Sequence, residues 1–333
     1  MNRRDLLAGS VSAGLLAGGS AGWLRSASAQ QPDVPVIGLL DAVWGRLGKG
    51  LGQGLFDNGL AAGKDFKFKR SGWSGTSWEF QADLVARYTA ELVKAQVAMI
   101  LTCSGRAALV ARSVTDTTPI IFFADDPVAA GLVDRLDQPG GNLTGIANLD
   151  SGLMAKKIDV AWELLTFANL VVLVTDPTNQ PTHDHEVREA QAGANALGLE
   201  LSIVAWTGKH SFEAELAALP RDRKAVLIFG SGLPFIMQSA TLAYMAVQYG
   251  FPAISGFREA AEEGSLISFG TRLEEGGKLM ALYAARILKG DKPANLPVQK
   301  FTRTEFVVNR WPAKSLGLRI PPTILARADE VIG

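Results

Sequence analysis

Small, polar and aromatic residues follow the predicted strands of this chain, where they could hold a small ligand. In open α/β sheets, ligands bind in the crevice outside the carboxyl ends of parallel strands. Helices that begin in these loops direct their N-termini, which favour carboxylates and other anions, into the same space. The predicted ligand-binding residues are Trp44, Trp73, Cys103, Ser104, Asp125, Asp126, Asn148, Thr178, Ser231, Phe257 and Phe269.

These residues are expected to make two kinds of contact. Ser104, Asp126 and Ser231 would offer hydrogen bonds, while the aromatic rings of Trp44, Trp73 and Phe257 would form apolar walls. An Asp or Ser in front of a helix is usually a cap, and Asp126-Pro127 is typical of a helix start. Because such loops recur in both halves of the chain, the sequence favours one shared cleft over a set of unrelated caps.

Motifs for catalysis are missing from the sequence. Residues 30–333 contain no G-x-x-x-x-G-K-[ST] and no G-x-S-x-G, and the glycines at 48–54 fit no dinucleotide fingerprint. Cys103 has no histidine in its half of the chain and is expected to be a small buried side chain. His183-Asp184-His185-Glu186 is expected to be a solvated loop that opens a helix. We therefore expect a protein that is not an enzyme and has no cofactor or metal. A periplasmic enzyme with Asp125 or Asp126 as acid or base stays open as an alternative.

Apolar strands alternate with amphipathic helices along the chain. The first half has predicted strands at 34–40, 66–70, 97–102 and 119–124, and helices at 48–60, 78–94 and 106–114. The second half has strands at 170–175, 200–206, 225–230 and 252–255, and helices at 154–165, 186–197, 212–219 and 235–249. Continuous apolar strands separated by helices predict parallel sheets covered on both faces.

The order of these elements predicts two Rossmann-like lobes joined by a multi-strand hinge. Lobe 1 would comprise 34–148 and about 268–298, and lobe 2 would comprise 151–266 and about 300–333. A Pro-Gly-Gly-Asn loop at 139–142 marks the junction between the halves. The tail adds strands at 266–269, 298–301 and 305–309 and a helix at 273–289, which complete sheets begun earlier. A monomer is expected.

The N-terminal segment predicts export. Arg3-Arg4, a glycine-rich apolar run and Ala27-Ser28-Ala29 match the charged, apolar and cleavage regions of a signal peptide at 1–29. The paired arginines favour the twin-arginine route, with the general secretory route as the alternative. Removing 29 residues from 333 leaves 304, with 30 basic and 32 acidic side chains. This nearly even charge balance provides no basic surface for binding nucleic acid. The predicted signal peptide makes the periplasm the expected location.

Two sequence blocks carry a resemblance to a known family. The first is Asp126-Pro127-Val128 followed by Gln138-Pro139-Gly140-Gly141-Asn142-Leu143-Thr144-Gly145, and the second is Leu325-Ala326-Arg327-Ala328-Asp329-Glu330-Val331-Ile332. With Ile287-Leu288-Lys289-Gly290 and Ile320-Pro321-Pro322, they make the mature chain resemble the ABC-transporter substrate-binding proteins, a group that includes tryptophan- and tyrosine-binding receptors.

The resemblance implies a type I periplasmic binding fold that closes on a solute and delivers it to an inner-membrane permease. A small organic solute is expected, such as an amino acid or another carboxylate. A sensor domain that signals to another protein stays open as an alternative. Three departures from the family pattern lie where ligand contacts are expected. Phe269 stands where relatives often carry Tyr, Gly276-Gly277-Lys278 stands where the following helix of relatives carries a Tyr, and the loop after Leu40 has Trp44.

The first prediction concerns export. Replacing Arg3 and Arg4 with Lys should block export, because the twin-arginine route requires the paired guanidinium groups. Cell fractionation and N-terminal sequencing measure this, and the wild-type chain should begin at Gln30. Unchanged export of the double variant would contradict the twin-arginine route while leaving export itself intact.

Overall fold

Two β-sheets, each covered by helices, organise the described part of the chain. The structure is a computed structural model, and the residues described are 34–41, 44–70, 80–148, 153–164, 170–208, 210–220 and 225–333. The predicted signal peptide, Trp73 and the predicted helix start at Trp78 lie outside these residues.

The elements up to residue 148 belong to the first sheet and its helices. In chain order they are β1 (Val36–Leu39), α1 (Gly45–Asp57), β2 (Lys67–Arg70), α2 (Ala82–Lys94), β3 (Met99–Thr102), α3 (Gly105–Val114), β4 (Ile120–Ala124) and β5 (Leu143–Asn148).

The chain then builds most of the second sheet. In order, its elements are α4 (Leu153–Leu164), β6 (Leu170–Thr175), α5 (Gln180–Leu197), β7 (Glu200–Ala205), α6 (Glu213–Ala218), β8 (Ala225–Phe229), α7 (Leu233–Met237), α8 (Ser239–Gln248), β9 (Ala253–Ser255), α9 (Arg258–Glu263) and β10 (Ile267–Thr271).

The C-terminal part serves both sheets. It consists of α10 (Leu273–Leu288), a 3₁₀ turn (Pro293–Asn295), β11 (Gln299–Phe301), β12 (Thr304–Asn309), α11 (Arg310–Ser315), α12 (Pro322–Arg327) and β13 (Glu330–Ile332). Helix α10 packs on α1, and therefore belongs with the first sheet.

The two sheets confirm the predicted α/β class with two lobes. The first has strand order β11-β5-β4-β3-β1-β2 and the second has order β13-β12-β10-β9-β8-β6-β7. The strand pairs of the first sheet are parallel. In the second sheet, β10 and β12 pair antiparallel, which the expectation of parallel sheets did not include. Buried strands such as β4 and β6 explain the continuous apolar runs in the sequence.

Within the described residues, the chain passes from one sheet to the other three times, after β5, after β10 and after β11. These connecting segments are called the crossings. The crossings lie against one another. Thr271 Oγ1 donates a hydrogen bond of 2.7 Å to Asn148 Oδ1, and Arg272 N donates one of 3.1 Å to Arg303 O. Strand β10 ends at Thr271, so the boundary drawn from sequence near 268 falls inside this strand. Likewise β11 pairs with β5, which places residues 299–301 in the first sheet.

Several element predictions were wrong in detail. The strand β5 directly follows the loop at 139–142 that was expected to mark the junction, and the helix expected at 235–249 is divided into α7 and α8. Helix α5 begins at Gln180, so His183 and His185 lie within a helix instead of a loop. Residues 127–131 form a turn where Asp126-Pro127 predicted a helix. Helix α9 was not predicted.

Glycines allow α1 and α10 to pack closely. A Cβ atom on Gly277 would overlap the backbone oxygen of Leu47, and one on Gly50 would overlap the backbone oxygen of Glu274. Gly276 and Gly277 are buried in this contact, so the family departure at these positions belongs to helix packing.

Gly277→Ala should therefore lower the free energy of unfolding by about 2 kcal/mol or more, because an added methyl group in a packed contact forces the backbones apart. Gly52→Ala is the matched control: its Cβ would meet nothing within 4 Å, and a helical Gly→Ala change should stabilise by about 0.5–1 kcal/mol. Urea unfolding of both variants measures this. Equal stability of the two variants would contradict the close packing.

Candidate functional site

A cavity of about 600 Å³ lies between the two sheets, at the carboxyl ends of their strands. Nine of the predicted ligand-binding residues line it: Trp44, Cys103, Ser104, Asp125, Asp126, Asn148, Thr178, Ser231 and Phe257. Residues from the first sheet form one wall, and those from the second sheet form the other. The structure thus brings the post-strand loops of both halves together.

Phe269 does not line this cavity among the residues described, contrary to the prediction. Its ring packs on Phe306 with centroids 5.3 Å apart, because β10 and β12 place the two residues opposite each other in the antiparallel pair. Phe269 is therefore part of the packing of the second lobe.

Asp41 organises the first wall. Its side chain accepts a hydrogen bond of 2.6 Å from Cys103 N, and its backbone oxygen accepts one of 2.8 Å from Trp44 Nε1. Burial raises the pKa of Asp41 to about 6. Burial, together with the charge of Asp41, raises the pKa of the Cys103 thiol well above its usual value. Cys103 is thus held as a neutral thiol, which is a poor nucleophile.

Two of the expected hydrogen-bonding side chains act as caps. Ser104 Oγ accepts from Ala107 N at 3.3 Å at the start of α3, and the exposed Asp126 accepts from Ala129 N at 3.0 Å in the following turn. These bonds fix the loops that line the cavity. The Ser104 hydroxyl can still donate to a ligand while its oxygen accepts.

Asn148 connects the cavity to the crossings. Its amide nitrogen donates to Asp125 Oδ1 at 3.0 Å, and its amide oxygen accepts from Thr271 Oγ1 at 2.7 Å. Asn148 and Thr271 both line the cavity. A ligand that contacts Asn148 or Thr271 therefore contacts the segments that connect the two lobes.

Glu186 organises the second wall. Its two carboxylate oxygens accept hydrogen bonds from Ser231 N at 2.6 Å and from Thr175 Oγ1 at 2.8 Å. Burial raises the pKa of Glu186, and its hydrogen bonds and the charge of Lys157 oppose this rise. Nearby, Asp176 Oδ1 accepts from the backbone nitrogen and the hydroxyl of Thr178, which orders the loop after β6.

Sequence reasoning missed the basic residues of the cavity. Arg106 stacks on Phe80, with the guanidinium carbon 4.1 Å from the ring centroid, and burial lowers its pKa. Lys157 lies in α4 and is only 1% exposed. Arg106 lies two residues after Ser104 and could have been found from its place in the first turn of a helix. Nothing in the sequence marked Lys157 as a cavity residue, since a lysine in an amphipathic helix normally faces water.

The walls of the cavity touch through ion pairs. Arg46 of α1 lies 2.5 Å from Glu262 and 3.6 Å from Glu259, both of which belong to α9 in the other lobe. Arg46 and Glu259 line the cavity. Burial raises the pKa of Glu259. The lobes are therefore in contact across the cleft in this structure.

His185 lines the cavity and contacts a carboxylate of its own helix. His185 Nε2 lies 3.4 Å from Glu189, one turn along α5. Within the described ranges, His, Cys, Asp and Glu side chains form no group of three that could hold a metal ion.

A cleft between two α/β lobes with three crossings defines a type I periplasmic binding fold. A conserved domain protein from Vibrio cholerae O1 has this fold, with a TM-score of 0.77 and 23% identity over 90% of this chain and 99% of that one. An ABC domain from Streptococcus pneumoniae in complex with L-Trp gives a TM-score of 0.75 and 22% identity over the same shares.

The family model for ABC transporter substrate binding proteins matches residues 42–332, and the chain belongs to this family. A tyrosine-binding protein from Clostridioides difficile is 25% identical over 233 residues, which are 66% of this chain and 63% of that relative. The match thus spans less than two thirds of the relative's length. No helix in the described ranges has the length and apolar character needed to cross a membrane.

The buried carboxyl of Asp41 predicts a pH dependence of stability. Folding raises its pKa from 3.8 to about 6, so the folded state binds more protons and loses stability as the pH rises from about 4 to 6. Asp41→Asn keeps an acceptor for Cys103 N but cannot titrate. Relative to this variant, the wild type should be more stable by about 1 kcal/mol at about pH 5 than at about pH 7.

Urea unfolding at the two pH values measures this difference. Asp159→Asn, which changes an exposed carboxylate on α4, is the control and should follow the wild type. A difference between the wild type and Asp41→Asn that does not change with pH would mean that Asp41 titrates normally in the folded protein.

Proposed function

We propose that this chain is the solute-binding receptor of an ABC importer. It binds a small organic solute between its lobes, as a monomer outside the cytoplasmic membrane, and delivers the solute to a membrane permease. The single observation that carries this proposal is a cavity lined by side chains of both lobes, with three crossings beside it. A ligand that touches both lobes favours the closed state, and opening at the crossings would release it.

The size and lining of the cavity support a small organic solute. Its volume of about 600 Å³ lies within the usual range for small-molecule sites, roughly 300–1,000 Å³. Both apolar and charged side chains line its walls; the apolar members include Trp44, Leu47, Phe80, Leu109, Phe123, Met154, Pro234, Ile236 and Phe257. Such a surface suits a flat or branched apolar body.

The relatives support an amino acid or another carboxylate as the solute. One relative is named a tyrosine-binding protein, and the similar ABC domain from Streptococcus pneumoniae was solved in complex with L-Trp. Family membership also supports the export predicted from Arg3-Arg4 and the link to a permease. Mass spectrometry of small molecules released from the purified protein would identify the solute, and its uptake by cells lacking the gene would test delivery.

Aromatic side chains on opposite walls should bind the same solute. Phe80→Ala in the first lobe and Phe257→Ala in the second should each weaken it by about tenfold to hundredfold, because each loses roughly 1.5–3 kcal/mol of apolar contact. Isothermal titration calorimetry with the released solute measures the affinity, and thermal melts verify that each variant is folded.

Phe56→Ala is the matched control, since Phe56 on α1 is 69% exposed and outside the cavity; its affinity should equal that of the wild type. Loss of affinity in only one of the two wall variants would contradict a site shared by both lobes. X-ray scattering should show a smaller radius of gyration with solute than without it.

A further inference from the structure

Lys157 is the most deeply buried basic side chain described near the cavity. It lies on the inward face of α4 beside Met154 and Ile158, and it is 1% exposed. Both Lys157 and Met154 line the cavity. An ammonium group in this position has lost nearly all contact with bulk water and needs another source of compensation.

The described part of the protein gives the Lys157 ammonium neither a hydrogen bond nor an ion pair. Glu186 is the carboxylate that acts on it through space, yet both oxygens of Glu186 are engaged by Ser231 N and Thr175 Oγ1. A buried charge without a close partner is unfavourable unless a ligand supplies the opposite charge.

Gly256 makes room for this ammonium group. A Cβ atom on Gly256 would lie 3.2 Å from Lys157 Nζ, so a larger side chain there would press on the lysine. Gly256 follows β9 at the carboxyl end of the sheet and itself lines the cavity. The glycine thus lets Lys157 Nζ extend over the end of β9 towards the cavity.

Most other charged side chains of the cavity differ from Lys157, because they have a polar partner or are exposed to solvent. Each acidic side chain in the lining has a polar partner in the structure: Asp125, Asp126, Asp176, Glu186, Glu189 and Glu259. Glu259 is partnered through Oε1 alone, and its Oε2 is buried without a hydrogen bond. Among the cations, Arg46 pairs with Glu262, and Arg188 is exposed. Arg106, on the wall opposite Lys157, stacks on Phe80. The charge of Asp176 acts on Arg106 through space, but no described carboxylate forms an ion pair with it. Among the described lysine and arginine side chains of the cavity, Lys157 and Arg106 are therefore the two that are not exposed and make no ion pair.

We propose that Lys157 binds the carboxylate of the solute and that Arg106 adds a second positive charge from the opposite lobe. This inference rests on the proposed function, because it names the chemical group that the cleft selects. Lys157 is then the residue that determines specificity for acids over their neutral derivatives. The rest of the solute lies against the apolar walls.

The test compares each acid with its own amide. The panel contains L-tryptophan, L-tyrosine, L-leucine, indole-3-acetate and benzoate, their primary amides, the neutral sugars glucose and ribose, and any solute released from the purified protein. Thermal shift and calorimetry measure binding. At least one acid should bind the wild type, and its amide should bind about tenfold to hundredfold more weakly, as expected for loss of a charged hydrogen bond.

Lys157→Met should reduce the affinity for that acid by a similar factor. Without solute, its melting temperature should equal or exceed that of the wild type, because the variant removes an uncompensated buried charge. Lys156→Met is the matched control: it removes the neighbouring, exposed lysine of the same helix and should leave affinity unchanged. A lower melting temperature of Lys157→Met with unchanged affinity would assign the lysine a structural role and overturn the proposal.

The remaining outcomes separate the two proposals. If an amide binds as tightly as its acid, or if only sugars or amides bind, Lys157 does not select a carboxylate, while the protein is still a solute receptor. If the protein releases no solute and binds no member of the panel, the proposed function itself is contradicted.

Discussion

The hydrogen bond from Thr271 to Asn148 joins two of the segments on which the chain passes between its sheets. The cavity depends on this contact, because these segments fix where β5 and β10 end and therefore how the two walls face each other. Asn148 also donates to Asp125, so one amide group orders both a crossing and a cavity loop. The strands themselves are held by buried backbone hydrogen bonds, which leaves the crossings as the place where the lobes can move.

Polar residues of the cavity loops first stabilise the loops themselves. Ser104 caps α3, Asp126 caps a turn, and Asp176 accepts two bonds from Thr178. A helix cap and a residue that lines a ligand cavity are therefore not exclusive alternatives here. Because these acceptors are partly satisfied within the protein, aromatic surfaces and basic groups are left to contact a solute, which is consistent with an acid that has an apolar body.

Much of the fold could be predicted because strands buried on both faces leave continuous apolar runs, as in β4 and β6. Strand β5 was missed because Thr144, Gly145 and Asn148 interrupt its apolar run, although the strand is buried. Thr144 is accommodated by a hydrogen bond to Leu296 O, a residue far along the chain. Prediction thus failed where a polar side chain finds its partner in another part of the structure.

The sequence by itself determined the order of strands and helices and the loops that would line a cleft, because apolar periodicity and turn residues act over a few neighbouring positions. Only the tertiary structure decided which side chains of those elements face the cavity. Lys156 and Lys157 are adjacent and chemically identical, yet one is exposed and the other is buried beside Gly256. Phe269 packs on Phe306 and does not face the cavity for the same physical reason. The direction of a side chain is set by packing against residues that are distant in the chain.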